Sequence, residues 1–371
     1  MVVKTHNANS VPALRLLSCC LVSIVLLCGC SKETEEQALM QTYLKRVANV
    51  LDQPLPQNAL LPNLPALPPK RDRHQETSAI REGLLDILEL ADCNLIHLVA
   101  ERNSTLGKVS APSQKLAYEV AFYQRLIECI PLLERTPDTK PATLSRVRHI
   151  AQIKYNELPK HLWNALYTGQ EIEQSLSLNQ LALPLSTTDE NPRQNALTSW
   201  QFFAQLSQHL EHQDYGAANK QLSQIELHME SLYKNPIGTP LLRSLILITH
   251  YLNQTAEVIE GRLARRPLCF NDMSNPKADI LKTVFTRFYA AQIQPYMANT
   301  HRVGEQWFTA HHTIHNFARP PAAIAEYDAK VFNRITDISI WNQYVKARNR
   351  HTKAWQHILS QCKLMPSANN R

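Results

Sequence analysis

Glycine is scarce in this chain, with eight in 371 residues, against an ordinary share of about 7%. None of the eight falls into GxGxxG, a phosphate-cradling loop or a GxSxG elbow. The backbone therefore offers no nucleotide cradle and no strained turn to present a serine nucleophile. HExxH is absent too, which removes the helical zinc-protease motif. Long apolar runs are also missing. The one candidate, residues 16 to 27, is shorter than the roughly 20 residues a membrane-spanning helix needs.

What that short run does resemble is the core of a secretory signal. Lys4 and Arg15 precede it, and Leu27-Cys28-Gly29-Cys30 follows. An aliphatic residue, two small ones and a cysteine have the form of a bacterial lipobox. A Cys-Gly-Cys metal or redox pair is the rival, but no second cysteine pair lies nearby to complete a zinc site. Residues 1 to 29 are thus expected to be removed and Cys30 to carry the lipid. Several acyl chains anchor stably where one does not. Ser31 follows in place of an Asp retention signal, so the expected location is the outer membrane, on its periplasmic face.

Cleavage would remove Lys4 and Arg15 and no acid, leaving 37 basic against 32 acidic residues, a net +5. That excess is mild and unclustered, which excludes a nucleic-acid footprint. Four cysteines remain after the anchor: Cys93, Cys129, Cys269 and Cys362. In an oxidising compartment they read as two disulfides with three possible connectivities. The expected pairs are Cys93–Cys129, stapling neighbouring antiparallel helices, and Cys269–Cys362, tying the C-terminal helix back.

Few glycines, abundant Leu, Ala and Gln, and long intervals between prolines predict an all-α chain. Its expected form is a bundle of about nine or ten helices. Residues 30 to 53 hold the anchor and a first helix that starts about ten residues after it. In residues 54 to 75, six prolines alternate with Leu55, Leu60, Leu61, Leu64 and Leu67. This composition is stiff and greasy where linkers are soft and polar, so it predicts an extended strap laid on the body. A polyproline ligand for a partner's groove is the alternative. The helical body, residues 76 to 371, should carry helices near 78–103, 113–134, 141–168, 195–213, 216–234, 239–264, 276–296, 298–317 and 336–362. The irregular stretch 176 to 194 is a place where two halves could meet. DYGAANKQLSQIE, from Asp214, has the look of a tetratricopeptide helix, but nothing returns at that period, so no repeat array is expected.

ERNSTLGKVSAPSQ, residues 101 to 114, is the most unusual stretch. Glu101, Arg102, Asn103, Ser104, Lys108, Ser113 and Gln114 concentrate charge and hydrogen-bonding groups there. They could form a small polar pocket, with Glu101 as acid or base and Arg102 and Lys108 on an anion. The competing reading is a capping network at two helix ends, turning through Gly107 with Ser113 as N-cap, and capping alone explains Ser, Asn and Gly in such a place. The lipobox, ERNSTLGKVSAPSQKLAYE between Cys93 and Cys129, and QPYM at 294 to 297 resemble an uncharacterised proteobacterial lipoprotein-like family, domain of unknown function 3080. That resemblance covers most of the mature chain. It implies an envelope setting and no activity, ligand or catalytic residue.

Three further patterns are weaker. His311, His312 and His315 fall three and four apart on a helix, close enough for pairs to share a metal, but His301 or Glu305 would have to supply the missing ligands. Solvated or capping histidines explain them as well, and no metal or cofactor is expected. Ser274 and Lys277 have SxxK spacing without KTG or SDN. Arg262, Arg265 and Arg266, and Arg348, Arg350 and Lys353, suit helix C-termini or lipid phosphates equally. With no complete catalytic constellation, the reading is a non-enzymatic envelope lipoprotein that binds a protein partner or maintains the outer membrane. The alternative is an envelope hydrolase or ligand-binding protein acting on cell-wall or lipid material through Glu101 and Arg102.

Overall fold

The computed structural model describes residues 1–2, 34–57, 60–78, 93, 95–186 and 190–365. The lipobox with Cys30, and most of the helix expected over 78–103, lie outside the described residues. Within them the chain is all-α, with somewhat more helices than the nine or ten expected.

Helix α1 spans Glu35–Leu51, and Thr34 caps it by accepting from the Gln37 N–H at 3.4 Å. A short α2, Lys70–Arg73, follows the proline-rich strap. Two short helices come next, α3 Ile96–Asn103 and α4 Thr105–Val109. The long hairpin of α5, Pro112–Arg135, and α6, Pro141–Tyr167, then forms one side of the body. α7 is Gln170–Ser175, α8 Asn191–Glu211, α9 Tyr215–Leu222, α10 Ile225–Lys234 and α11 Gly238–Arg265. Residues 216 to 234, expected as one helix, break at Ser223 and Gln224. No Pro or Gly marks that break, which is why periodicity alone ran through it.

A second expectation fails in the opposite direction. The helices predicted over 276–296 and 298–317 are continuous: α12 Pro276–Val284, a π-helical stretch Phe285–Ile293, and α13 Gln294–Phe317. Pro295 has no N–H for an i→i−4 bond and should interrupt a helix. Here the chain widens just before it, and the Gln294 N–H reaches Tyr289 O, five residues back. α14, Ala325–Val331, and α15, Ile340–Ser360, complete the body, the latter capped by Ser339 Oγ on the Asn342 N–H at 3.0 Å.

Prolines open α5, α6, α8 and α12 at the first turn, where a missing N–H costs nothing. α11 packs along α15, α5 along α6, α8 along α13, and α1 along α11. Cys93–Cys129 and Cys269–Cys362 are both formed, each with Cα atoms 5.3 Å apart. The second joins the ends of α11 and α15, 93 residues apart in the chain. One hydrophobic core runs through the whole body, and the irregular stretch after α7 is stitched into it. Leu176 and Leu183 are buried, and the Leu183 N–H donates to Ser244 Oγ at 2.8 Å.

The strap is packed along only part of its length. Leu64 and Leu67 lie against the core, whereas Leu55, Leu60 and Leu61 remain exposed. Its far end is fastened by Arg73, a buried charge that donates to Pro68 O at 2.8 Å, to Tyr167 O, and to Glu173 Oε1 at 2.6 Å. Trp163 Nε1 donates back to Arg73 O at 2.6 Å. Asn164 then clasps the backbone of Gln75, accepting from its N–H at 2.9 Å and donating to its carbonyl at 2.8 Å.

Candidate functional site

The distinctive 101 to 114 stretch forms a two-helix corner in which Arg102, Ser104, Ser110 and Gln114 are spent on helix ends. Ser104 closes α3 and opens α4: its Oγ donates to Glu101 O at 2.7 Å and accepts from the Gly107 N–H at 3.0 Å. Arg102 is half-buried and donates to Gly107 O at 2.9 Å. Ser110 donates to the same carbonyl at 2.9 Å, and Gln114 Oε1 accepts from the Ala111 N–H at 3.4 Å. Glu101, Asn103, Ser104, Lys108 and Gln114 are solvent-exposed.

Two details differ from expectation. The N-cap of α5 is Ala111 with Pro112 at N1, so Ser113 sits inside the first turn, where its hydroxyl donates to Glu226 Oε1 at 2.7 Å and ties α5 to α10. Gly107 does not turn the chain; it lies within α4. A β-carbon there would stand 2.3 Å from Glu101 O and 2.7 Å from Arg102 O, so only glycine allows α4 to fold back this tightly on α3. The corner also displays apolar side chains: Leu106 is 81% and Val109 76% exposed, on either side of Lys108.

The seam between α5 and α6 holds the ionisable cluster that sequence reading missed. Glu119 is buried and meets Lys154 at 2.6 Å, with His161 at 3.9 Å. Glu157, also buried, accepts from the Ser78 N–H at 2.6 Å. Burial lowers the His161 pKa, partly opposed by the Glu119 charge. Lys154, Glu157 and His161 are three and seven residues along one helix face. That polar stripe was available as a signal, but an inward-facing polar stripe looks like a solvated one until its partner helix is known. One turn further along the same seam an open cleft of about 360 Å³ is lined by Tyr123, Ile127, Arg148, Gln152, Tyr155 and Gln213, among others.

The three histidines singled out by spacing take different partners. His311 is fully buried, and its Nδ1 lies 2.7 Å from Tyr167 Oη. His312 is exposed. His315 turns to Asp328, Nδ1 to Oδ1 3.2 Å. His301 stacks on Trp341, and Glu305 is held by Arg334 at 2.6 Å. The helix puts successive side chains about 100° apart, so one face enters the core while the next meets water. Among the described residues no group of three or more His, Cys, Asp or Glu could hold a metal ion.

Around His311 the rings of Trp200, Trp307 and Phe332 lie 4.2, 4.1 and 4.7 Å away between centroids. Burial first, and then neighbouring His315, hold the His311 pKa well below the ordinary range. A second buried histidine, His351, went unremarked in the sequence. Its Nε2 is 2.8 Å from Tyr43 Oη and 3.1 Å from Trp355 Nε1, which also donates to Tyr43 Oη at 2.7 Å. Burial pushes the His351 pKa down to about 3.

The SxxK spacing is likewise undone by geometry. Ser274 Oγ donates to Asp279 Oδ1 at 2.8 Å, while Lys277 is paired with Asp52. Arg262 caps its own helix, donating to the carbonyls of Arg266 and Pro267, and Arg350 binds Glu260. Ser274 and Lys277 thus have separate partners and do not meet as an SxxK pair.

Neither a curated protein nor a solved structure matches the chain. The model of one family does match, over residues 40–366, and the chain accordingly belongs to the family described as protein of unknown function, DUF3080.

Proposed function

We propose that this protein is a lipid-anchored helical module on the periplasmic face of the outer membrane, and that it works by binding an envelope protein partner rather than by catalysis. The observation that carries this reading is the 104 to 110 corner. Ser104 and Ser110 are engaged in capping, Arg102 donates to the Gly107 carbonyl, and the corner presents Leu106 and Val109 to solvent around Lys108. Exposed apolar side chains rimmed by polar ones are characteristic of protein-contact surfaces. The corner also stands within a disulfide-bounded segment, between Cys93 and Cys129.

The test is a photoreactive residue at Lys108 in living cells, followed by mass spectrometry. A single discrete protein adduct is expected. An exposed probe that yields no protein adduct would overturn the reading.

The α5–α6 cleft favours a second reading, a ligand-binding protein or hydrolase acting on cell-wall or lipid material. Its lining, Tyr123, Tyr155, Arg148 and Gln152, combines flat aromatic faces with planar hydrogen-bonding groups, and lies apart from Glu101 and Arg102. Calorimetric titration of cell-wall glycan fragments into the wild-type chain and Tyr155→Ala separates the two: heat of binding lost in the variant would favour the cleft.

A further inference from the structure

We propose that the outward face of α1 lies on the phospholipid surface, with Lys45 and Arg46 on anionic headgroup phosphates, so that the anchor fixes the orientation of the body as well as its location. This inference rests on the reading of Cys30 as the acylated residue.

The covalent reach is the first support. Cys30 and Thr34, the cap of α1, are four residues apart, and four residues span at most about 14 Å when fully extended. The start of α1 therefore cannot leave the membrane surface by more than that. α1 lies on the flank of the body, not beyond its end. It packs against α11, α12 and the π-helical stretch. Its C-terminal Asp52 meets Lys277 at the start of α12, and Tyr43 stacks on Tyr289 further along that helix. The helix tethered near the lipid is thus one that packs along its length against three others, which leaves one long face free to meet a surface.

Charge is the second support. Glu35, Thr42, Lys45, Arg46 and Asn49 are the exposed positions of α1, a solvent-facing stripe opposite buried Met40, Tyr43, Leu44, Val47 and Leu51. Glu35, in the first turn, is the exposed acid of α1; Glu36 is buried, and no acid occurs between it and Asp52, which Lys277 already neutralises. Lys45 and Arg46 have no acidic partner among the described residues. Lys45 donates to Gln41 Oε1 at 3.0 Å, and Arg46 rests over the Phe288 ring, 4.5 Å from its centroid. The ring holds the guanidinium on the outer surface, so little side-chain freedom is lost when it meets a phosphate. Two cations would not bind a membrane from solution. Once acylation has confined the protein, however, docking is intramolecular and weak contacts suffice to choose a face.

The test uses the full chain, acylated in cells, with its mass measured and then reconstituted into two kinds of vesicle, phosphatidylethanolamine with phosphatidylglycerol, and phosphatidylcholine. Both carry a headgroup spin label. A fluorescent residue is placed at Thr42, or at exposed Leu227 on α10 as a control. Quenching of Thr42 but not Leu227 is expected in the phosphatidylglycerol vesicles, and less in phosphatidylcholine. Lys45→Glu with Arg46→Glu should abolish the difference between lipids. Lys45→Gln with Arg46→Gln should lower the docked population about five-fold per residue.

An unquenched Thr42 on a chain whose mass shows the lipid overturns the orientation and leaves the anchor standing. Equal quenching in both lipids removes the charge argument and overturns the proposal. A mass without lipid on Cys30 ends the anchor reading and the orientation with it.

Discussion

Two buried tyrosine–histidine pairs sit along the long helix that runs through α12, the π-helical stretch and α13, one packed against the π-helical stretch through Tyr43 and the other including His311 of α13, and they are wired differently. Tyr43, His351 and Trp355 form a closed triangle in which every member touches the other two. Trp355 Nε1 can only donate, so the Tyr43 hydroxyl hydrogen is directed at His351 Nε2, and the proton of the neutral ring sits on Nδ1. Tyr167 and His311 share a single bond. Around that bond His311 Nε2, His315 Nε2, Trp200 Nε1 and Trp307 Nε1 are buried without a hydrogen-bond partner, against His351 Nδ1 alone in the triangle. The triangle has redundancy, and the pair does not. Burying aromatic surface is profitable in both places, but unpaired N–H groups offset part of that gain.

The largest way to break the comparison is at the covalent end of the triangle. Cys269–Cys362 locks the ends of α11 and α15, and α15 carries His351 and Trp355. Replacing both cysteines by alanine should cost about 3–5 kcal/mol on loop-entropy grounds, measured by urea unfolding. Hydrogen exchange should accelerate in α15 before the second half of α13. Equal acceleration in both would mean that the triangle gains nothing local from the disulfide.

Removing one hydroxyl at a time is the next test. Tyr167→Phe leaves His311 with no partner on either nitrogen, and should cost about 1–3 kcal/mol. Tyr43→Phe leaves the Trp355–His351 bond in place at 3.1 Å, and should cost about 1 kcal/mol or less. The reverse ranking would show that the triangle acts as one cooperative unit rather than as bonds with a fallback.

Acid should act on both clusters alike. His311 and His351 are neutral when folded, burial holding both pKa values below the ordinary 6.5, His351 near 3. Above pH 6.5 neither folded nor unfolded histidine binds a proton, and stability is flat. Below it the unfolded chain takes up protons that the folded chain refuses, so stability falls as pH falls, until the folded pKa is reached. The expected slope is about 1.4 kcal/mol per pH unit for each histidine, read from urea midpoints between pH 6.5 and 4. His351→Gln should remove one share of that slope.

How far these sites could be read in the chain follows from how local they are. The all-α class was legible because scarce glycine and helical periodicity are properties of every segment. The expected starts of α5, α6 and α12 fall within a residue of a proline that opens the helix, whereas the break expected at 297 is absent, because one π-helical stretch carries the chain through Pro295. The corner at 101 to 114 was legible as capping, since its partners lie three to five residues apart. The histidine clusters were not. Tyr167 is 144 residues from His311, and Tyr43 is 308 from His351. His311 and His315 stood out by their spacing, while His351, with no histidine near it in sequence, has two side-chain partners to the one of His311. Arg73 was hidden for the same reason: its partners come from α6 and α7.

The smallest expected effect is the most discriminating. If the Tyr167–His311 bond only compensates two polar groups for their own burial, replacing both by apolar side chains should cost little, although Tyr167→Phe alone is damaging. Tyr167→Phe with His311→Leu removes a hydroxyl, the imidazole and its unpartnered Nε2 together, in exchange for side chains of similar volume. Such paired replacement is close to neutral where a single deletion is not. The double variant should therefore lie within about 1 kcal/mol of wild type, and be more stable than Tyr167→Phe by itself, with the imidazole's share of the acid sensitivity gone. In the triangle the same treatment, Tyr43→Phe with His351→Leu, strips Trp355 Nε1 of both acceptors and should remain clearly destabilising. Should both double variants be equally mild, the redundancy of the triangle would contribute nothing to stability, and the contrast between the two clusters would be geometric only.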